Sequence, residues 1–171
     1  MKDKLALVDV SNVVRKNTRA DAKEPPALVN GLETLCKALK VAKFSPVLIG
    51  DLGLWQKLSE DNPPVEALCQ KYNDQRSLRL WRNQYGQCTL RCISQNADLA
   101  ILRRAQSFID EGATPDQLVI VSNDGFFKYT DKFGFLEDLW HHDGPNYLCP
   151  FEIKNWVLDI KTLNIKKRIW R

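Results

Sequence analysis

The reading of the fold turns on "KLALVDVSNVVR", residues 4–15. Leu5 to Val8 form a short, unbroken apolar run that reads as a buried strand reaching Val10. The run is interrupted by Asp9, and Ser11 and Asn12 follow almost at once. Aspartate is depleted in strands and is usually solvated. Three readings are open for Asp9: it ends the strand, it caps the segment that follows, or it helps to hold a metal ion.

The same pattern recurs along the chain. After Ser45-Pro46, "VLIG" reads as a second buried strand with Asp51 just past it, and "QLVIVSND" as another that ends in Ser122, Asn123 and Asp124. "CTLRCIS", residues 88–94, alternates like a strand. Between the strands lie helical patterns. Pro25-Pro26 opens one that spans Ala27 to Lys43, with Leu28, Leu32, Leu35, Cys36 and Leu39 at helical spacing. "PPVEALCQKYNDQ" starts like another. "NADLAILRRAQSFIDEG" is the clearest, with Asn96 as its cap, a stripe of Leu99, Leu102, Ala105 and Ile109, and Gly112 as its stop. Residues 15–25 read as loop. From Lys132 onward the pattern fades into a short strand, a loop and a basic element over residues 151–171.

Strands alternating with helices predict an α/β fold in three layers, with a mostly parallel central sheet flanked by helices. At 171 residues, with 44% hydrophobic and 27% charged residues, the chain is expected to form a single domain over residues 1–171. No apolar run approaches the roughly 20 residues of a membrane helix. The strand pattern begins almost at the first residue, so no signal peptide is expected. A cytoplasmic location, or a nuclear one, follows, with no membrane partner. Cys36, Cys69, Cys88, Cys92 and Cys149 are an odd, scattered set without zinc-site spacing, and read as buried reduced thiols.

Net charge is only +4, but it is unevenly placed. Residues 71–104 hold Lys71, Arg76, Arg79, Arg82, Arg91, Arg103 and Arg104 against Asp74 and Asp98, a local excess of five. Residues 154–171 hold six basic side chains against Asp159. Basic blocks on an otherwise acidic background suggest a polyanionic partner. Arg79, Arg82 and Arg91, interleaved with Trp81 and Tyr85, have the composition of a surface that pairs phosphates and stacks bases, and equally that of a solvated face.

Open α/β sheets place their sites at the carboxyl ends of the strands. Here those ends and the helix start beside them carry Asp9, Asp51, Asp98 and Asp124. Converging carboxylates repel one another unless a proton or cation neutralises them, and a hard divalent ion with oxygen ligands does this economically. Each acid also has an ordinary role: Asp98 complements a helix N-terminus, and Asp51 and Asp124 sit where turns form.

"LVDVSNV", "NADLAILRRA" and "VIVSNDGFFKY", in this order and spacing, resemble the NYN branch of the PIN-like nucleases, with the Regnase-like endoribonucleases as the nearest members. The three blocks run from Leu7 to Tyr129, most of the chain. The resemblance implies a Rossmann-like fold and Mg²⁺- or Mn²⁺-dependent hydrolysis of RNA phosphodiesters. Asp9, Asp98 and Asp124 would be the catalytic, metal-binding acids, supported by Asn12, Ser122 and Asn123. Asp51 and Asp131 are further supporting candidates. Arg76, Arg79, Arg82, Arg91, Arg103 and Lys128 would hold a single-stranded or looped RNA. A homodimer or a regulatory protein partner fits the same family. Two positions depart from its pattern: the acidic pair at the helix start is Ala97-Asp98, and the further acid expected after Asp124 is Lys128, with Asp131 one turn beyond. These departures leave a second reading, a weakly active or inactive RNA-binding or scaffold domain of the same fold.

Overall fold

In the computed structural model, the described residues are 4–17, 26–51, 93–94, 96–138, 146–154 and 156–169. The chain opens with β1 (Lys4–Asp9), α1 (Val10–Asn17), α2 (Pro26–Val41) and β2 (Phe44–Asp51). The next described elements are β3 (Ile93–Ser94), α3 (Ala97–Asp110), β4 (Leu118–Val121), a 3-10 helix (Phe127–Lys132), α4 (Phe135–Asp138) and β5 (Leu148–Cys149). The described chain closes with β6 (Glu152–Lys154), β7 (Val157–Ile160), a short 3-10 turn (Lys161–Leu163) and β8 (Ile165–Arg168).

Period-two alternation explains the main sheet. Along β1, Ala6 and Val8 face one hydrophobic cluster while Leu5 and Leu7 face the other; β4 divides Val119 and Val121 from Leu118 and Ile120 in the same way. Both faces are apolar, so both must be covered, as in parallel sheets. On one side Leu32, Leu35, Cys36 and Leu39 of α2 supply the cover; on the other, Ala97, Ala100, Ile101 and Ala105 of α3 do so, together with Phe126 and Leu136. The five strands run in the order β3-β2-β1-β4-β5, and every pair is parallel. The expected α/β character, parallel sheet and flanking helices are thus present.

Several boundaries differ from the sequence reading. The first strand stops at Asp9, and residues 15–17, read as loop, belong to α1. The reason is that the Asp9 carboxylate accepts the main-chain N–H of Asn12, which starts a helix immediately. The helix read as Ala27 to Lys43 ends at Val41, and Lys43 turns the chain at φ 66°. Strand β2 then begins at Phe44, so Pro46 lies inside it, opposite Ala6. Proline is tolerated there because β3 reaches only Gly50 and Asp51, which leaves that part of β2 at an edge among the described residues. Of "CTLRCIS" the described residues Ile93 and Ser94 are strand. Residues 88–92, and the helix expected at "PPVEALCQKYNDQ", lie outside the described residues.

Helix α3 matches its reading in cap and stop, but its buried face is Ala97, Ala100, Ile101, Leu102 and Ala105, with Leu99 and Ile109 of the expected stripe only partly buried. Asn96 Oδ1 accepts the Leu99 N–H at 3.1 Å, and Gly112, at φ 85°, ends the helix by donating to Ile109 while Ala113 donates to Phe108. The C-terminal part is more ordered than expected. Residues read as a charged tail, Lys166, Lys167 and Arg168, form β8 of a three-stranded antiparallel sheet, β6-β7-β8. Its buried Leu158, Ile160, Ile165 and Ile169 join the α2 side of the core, and this burial is what orders the segment. Cys36 and Cys149 are free and buried, as expected of reduced thiols, and burial raises the pKa of each. No helix among the described residues is long and apolar enough to cross a membrane.

Candidate active site at the ends of the central strands

The strand order reverses its direction of growth at β1, which has β2 on one side and β4 on the other. At such a switch point the connections leave the sheet in opposite directions and open a crevice at the carboxyl ends, where ligands of open α/β sheets bind. Asp9 ends β1 there, and Ser122 follows Val121, the partner of Val8. Register therefore sets Asp9 beside Ser122.

The Asp9 carboxylate is 1% exposed, an expensive place for a charge, and three donors converge on it. Asn12 main-chain N–H reaches Oδ1 at 3.1 Å; Asn12 Nδ2 and Ser122 Oγ reach Oδ2 at 2.6 and 2.9 Å. The bond to Oδ1 is that of a helix cap, so the capping reading of Asp9 holds. Burial raises the Asp9 pKa above its ordinary value; the hydrogen bonds from Asn12 and Ser122 oppose this, and the nearby Asp98 carboxylate adds to it. Asp98 is therefore close enough for its charge to be felt at Asp9.

Asp124 joins the same network through Ser122, whose Oγ accepts the Asp124 N–H at 3.0 Å. Its own Oδ1 accepts the Phe126 N–H at 2.8 Å, an Asx turn that holds Phe126 in the left-handed region at φ 55° with its ring fully buried. Asn123 Oδ1 accepts the Phe151 N–H at 3.0 Å, tying the end of β4 to the segment beyond β5. The buried Nδ2 of Asn123 has no hydrogen-bond partner among the described residues.

Asp98 lies in the first turn of α3, where the helix N-terminus favours a negative charge. Its Oδ2 is 2.8 Å from Lys128 Nζ. That ammonium also stands 4.9 Å from the centroid of the Tyr129 ring, and the Tyr129 hydroxyl accepts from Asn96 Nδ2 at 2.9 Å. Asn96 thus caps α3 and braces the 3-10 helix that carries Lys128. The Asp98 carboxylate raises the Lys128 pKa. Sequence reasoning missed Tyr129, because nothing in "FFKY" marks a ring that supports a lysine 30 residues from its acid.

Asp9, Asn12, Ser122 and Asp124 are therefore joined by hydrogen bonds, with Asp98 beside them and Lys128 on Asp98. Asp131 is exposed on the 3-10 helix, and no bond joins it to these residues among the described ones. Arg103 is exposed on α3. The backbone of Asp51 ends β2, next to Ser94 of β3, while its side chain lies outside the described residues. Arg76, Arg79, Arg82 and Arg91 also lie outside them.

Among the described residues no group of three or more His, Cys, Asp or Glu side chains is placed to share a metal ion. A smaller donor set remains. Asp98 Oδ1 has no partner among the described residues, and Asp9 Oδ1 accepts only one hydrogen bond. Mg²⁺ is commonly held by one or two carboxylates, with waters and substrate phosphate completing its octahedron. Asp98 keeps an oxygen that such an ion could take, whereas Asp9 is buried and both of its oxygens already accept hydrogen bonds. Comparison with known proteins brings no relative: no family model, no curated protein and no solved structure matches the chain.

Proposed function

We propose that the chain is a metal-dependent endoribonuclease of the Rossmann-like PIN/NYN type, acting on single-stranded or looped RNA. The observation that carries this reading is the Asp9–Ser122–Asp124 network spanning the β1/β4 switch point, with Asp98 alongside. Asp98 would hold a Mg²⁺ or Mn²⁺ ion beside the Asp9 carboxylate. Bound there, the ion would polarise a phosphoryl oxygen and ease deprotonation of water. Asn12 and Ser122 fix the Asp9 carboxylate in one orientation, and the surrounding apolar strand ends keep it rigid. Asp124 holds Ser122 and the start of the Phe126 turn. Exposed Arg103 and the arginines of residues 76–91 would supply contacts to the RNA backbone. In the hydrolysis, water adds to phosphorus and the bond to the 3′ oxygen breaks, leaving a 5′-phosphate and a 3′-hydroxyl.

The second reading, an RNA-binding domain with little or no activity, is favoured by two observations: Lys128 already neutralises Asp98, and no three acids are grouped among the described residues. Incubation of end-labelled single-stranded RNA with the protein in Mn²⁺, Mg²⁺ or EDTA separates the two. Cleavage that needs the metal and is lost in Asp98→Asn supports the nuclease. RNA retention in a gel-shift assay without cleavage at any metal concentration supports the binding domain. Cleavage that persists in excess EDTA refutes the metal-dependent mechanism.

A further inference from the structure

We infer that the β7–β8 hairpin, through Lys161, Lys166 and Lys167, holds the phosphate backbone of single-stranded RNA beyond the candidate site. The inference rests on the RNA reading above and names the surface that extends the RNA path; it needs no metal ion.

Three features of the molecule support it. First, the charge is concentrated on an ordered element. Between Val157 and Arg168 the basic residues Lys161, Lys166, Lys167 and Arg168 face Asp159 alone, and all four are exposed. Lys161, Lys166 and Lys167 make no ion pair among the described residues. Burial of Leu158, Ile160 and Ile165 fixes the strands that carry them, so binding need not order a loose tail. Second, the lysines gather at one end of the hairpin. Ile160 pairs with Ile165, so Lys161 and Lys166 each follow a member of the same cross-strand pair. Third, that end is fastened to the strand ends that form the site. The Thr162 side chain, in the turn, hydrogen-bonds the buried Cys149 thiol, and Cys149 pairs with Val121, the residue before Ser122. Neighbouring strands lie about 4.8 Å apart, so Thr162 anchors the turn one strand away from the end of β4. Asn123 Oδ1 makes a second tie by accepting the Phe151 N–H just ahead of β6.

Lysines on an outer strand also have an ordinary use, which is to deter edge-to-edge pairing of sheets. Among the described residues β8 pairs only with β7, so this use would account for Lys166 and Lys167. It does not account for Lys161, which lies in the turn rather than on the edge. Contacts to phosphate leave a signature that edge protection does not. Each phosphate neutralised on a single strand releases bound counter-ions and adds about 0.7 to the slope of log affinity against log salt.

Fluorescence anisotropy of a labelled oligouridylate with the full chain tests this, in EDTA to prevent metal-dependent cleavage and over a series of KCl concentrations. The variants are Lys161→Ala/Lys166→Ala, the charge-keeping Lys161→Arg/Lys166→Arg, and Lys4→Ala/Lys43→Ala. Lys4 and Lys43 stand at the amino ends of β1 and β2, the far end of the sheet from the site, and control for a general loss of positive charge. In low salt the hairpin alanine variant should bind on the order of ten-fold more weakly than wild type, with a salt slope smaller by about 1.4. The arginine variant and the control pair should keep the wild-type slope. Wild-type affinity and slope in the hairpin alanine variant overturn the inference and leave the RNA reading standing. Dimers or aggregates of that variant at unchanged RNA affinity overturn it in favour of edge protection. An equal loss in the control pair or in the arginine variant overturns it as well, since the effect would then be the general field or a change of structure. Absence of RNA binding by wild type removes both the inference and the RNA reading.

Discussion

Ser122→Ala tests the network at its centre. Ser122 is fully buried, donates to Asp9 Oδ2 at 2.9 Å and accepts from the Asp124 N–H at 3.0 Å. A hydrogen bond to a charged acceptor contributes about 1.5–3 kcal/mol, and a buried donor left unpaired costs about 1–3 kcal/mol. The Asp124 N–H belongs to a half-buried residue and takes the low end of that range, so the loss should be about 3 kcal/mol near neutral pH. For a chain of this length that corresponds to a fall in Tm of about 6–12 °C. The loss should also depend on pH. The Ser122 bond favours ionised Asp9; once acid protonates that carboxyl the bond is neutral and contributes only about 0.5–1.5 kcal/mol. Urea unfolding of both proteins, repeated from neutral to acid pH, measures the difference directly. A loss well under 1 kcal/mol at neutral pH, or one that does not shrink on acidification, would refute the claim that Ser122 stabilises a buried Asp9 carboxylate.

Three further variants probe neighbouring parts of the same construction. Burial raises the folded-state pKa of Asp9 above its ordinary 3.8, so Asp9 contributes fully to stability below that value and loses the contribution as pH rises through the raised one. The difference in unfolding free energy between wild type and Asp9→Asn should therefore move in favour of the variant as pH climbs from 3.8; a difference that is flat or moves the other way contradicts the assigned burial cost. Asn96→Ala removes both the α3 cap and the Tyr129 bond and should cost about 1–2 kcal/mol in urea unfolding, whereas Asn96→Ser, which keeps the cap alone, should recover about half of that.

The parts of the fold that were legible are those in which one short stretch contains its own cause. Val119 and Val121 alternate with Leu118 and Ile120, so both faces of a strand declare themselves buried. Helix α3 carries its cap, its stripe and its glycine stop within 17 residues of sequence, Asn96 to Gly112. The C-terminal sheet failed this test. In "IKKR" of β8 three of the four residues are exposed, so the strand has no apolar run to show. What orders it is pairing with β7, Ile160 opposite Ile165 and Leu158 opposite Lys167, together with burial against α2. Neither partner is visible from the tetrapeptide itself. The early start of α1 was hidden for a related reason: its polar end, residues 15–17, looks like loop, and the cause of the helix is the side chain of the residue before it.

The site was legible as positions and illegible as roles. A carboxylate at the end of a parallel strand faces the switch-point crevice and also stands where the next helix needs a cap. Both duties select the same residue type at the same place, so "VDVSN" predicts either. The structure shows Asp9 Oδ1 capping α1 and Oδ2 shared between Asn12 and Ser122, so this acid is stabilised by the protein's own donors before any ion is considered. Asp98 is different in kind. It caps nothing, it keeps one oxygen without a partner among the described residues, and its other oxygen faces a cation that the chain itself supplies. A lysine 30 residues away is the last thing a reading of local pattern would attach to a helix-start acid, yet Lys128 is the cation that pairs with it. Substitutions at Asp9 and Ser122 should therefore govern stability, whereas under the proposed metal-dependent reading those at Asp98 would govern ion affinity.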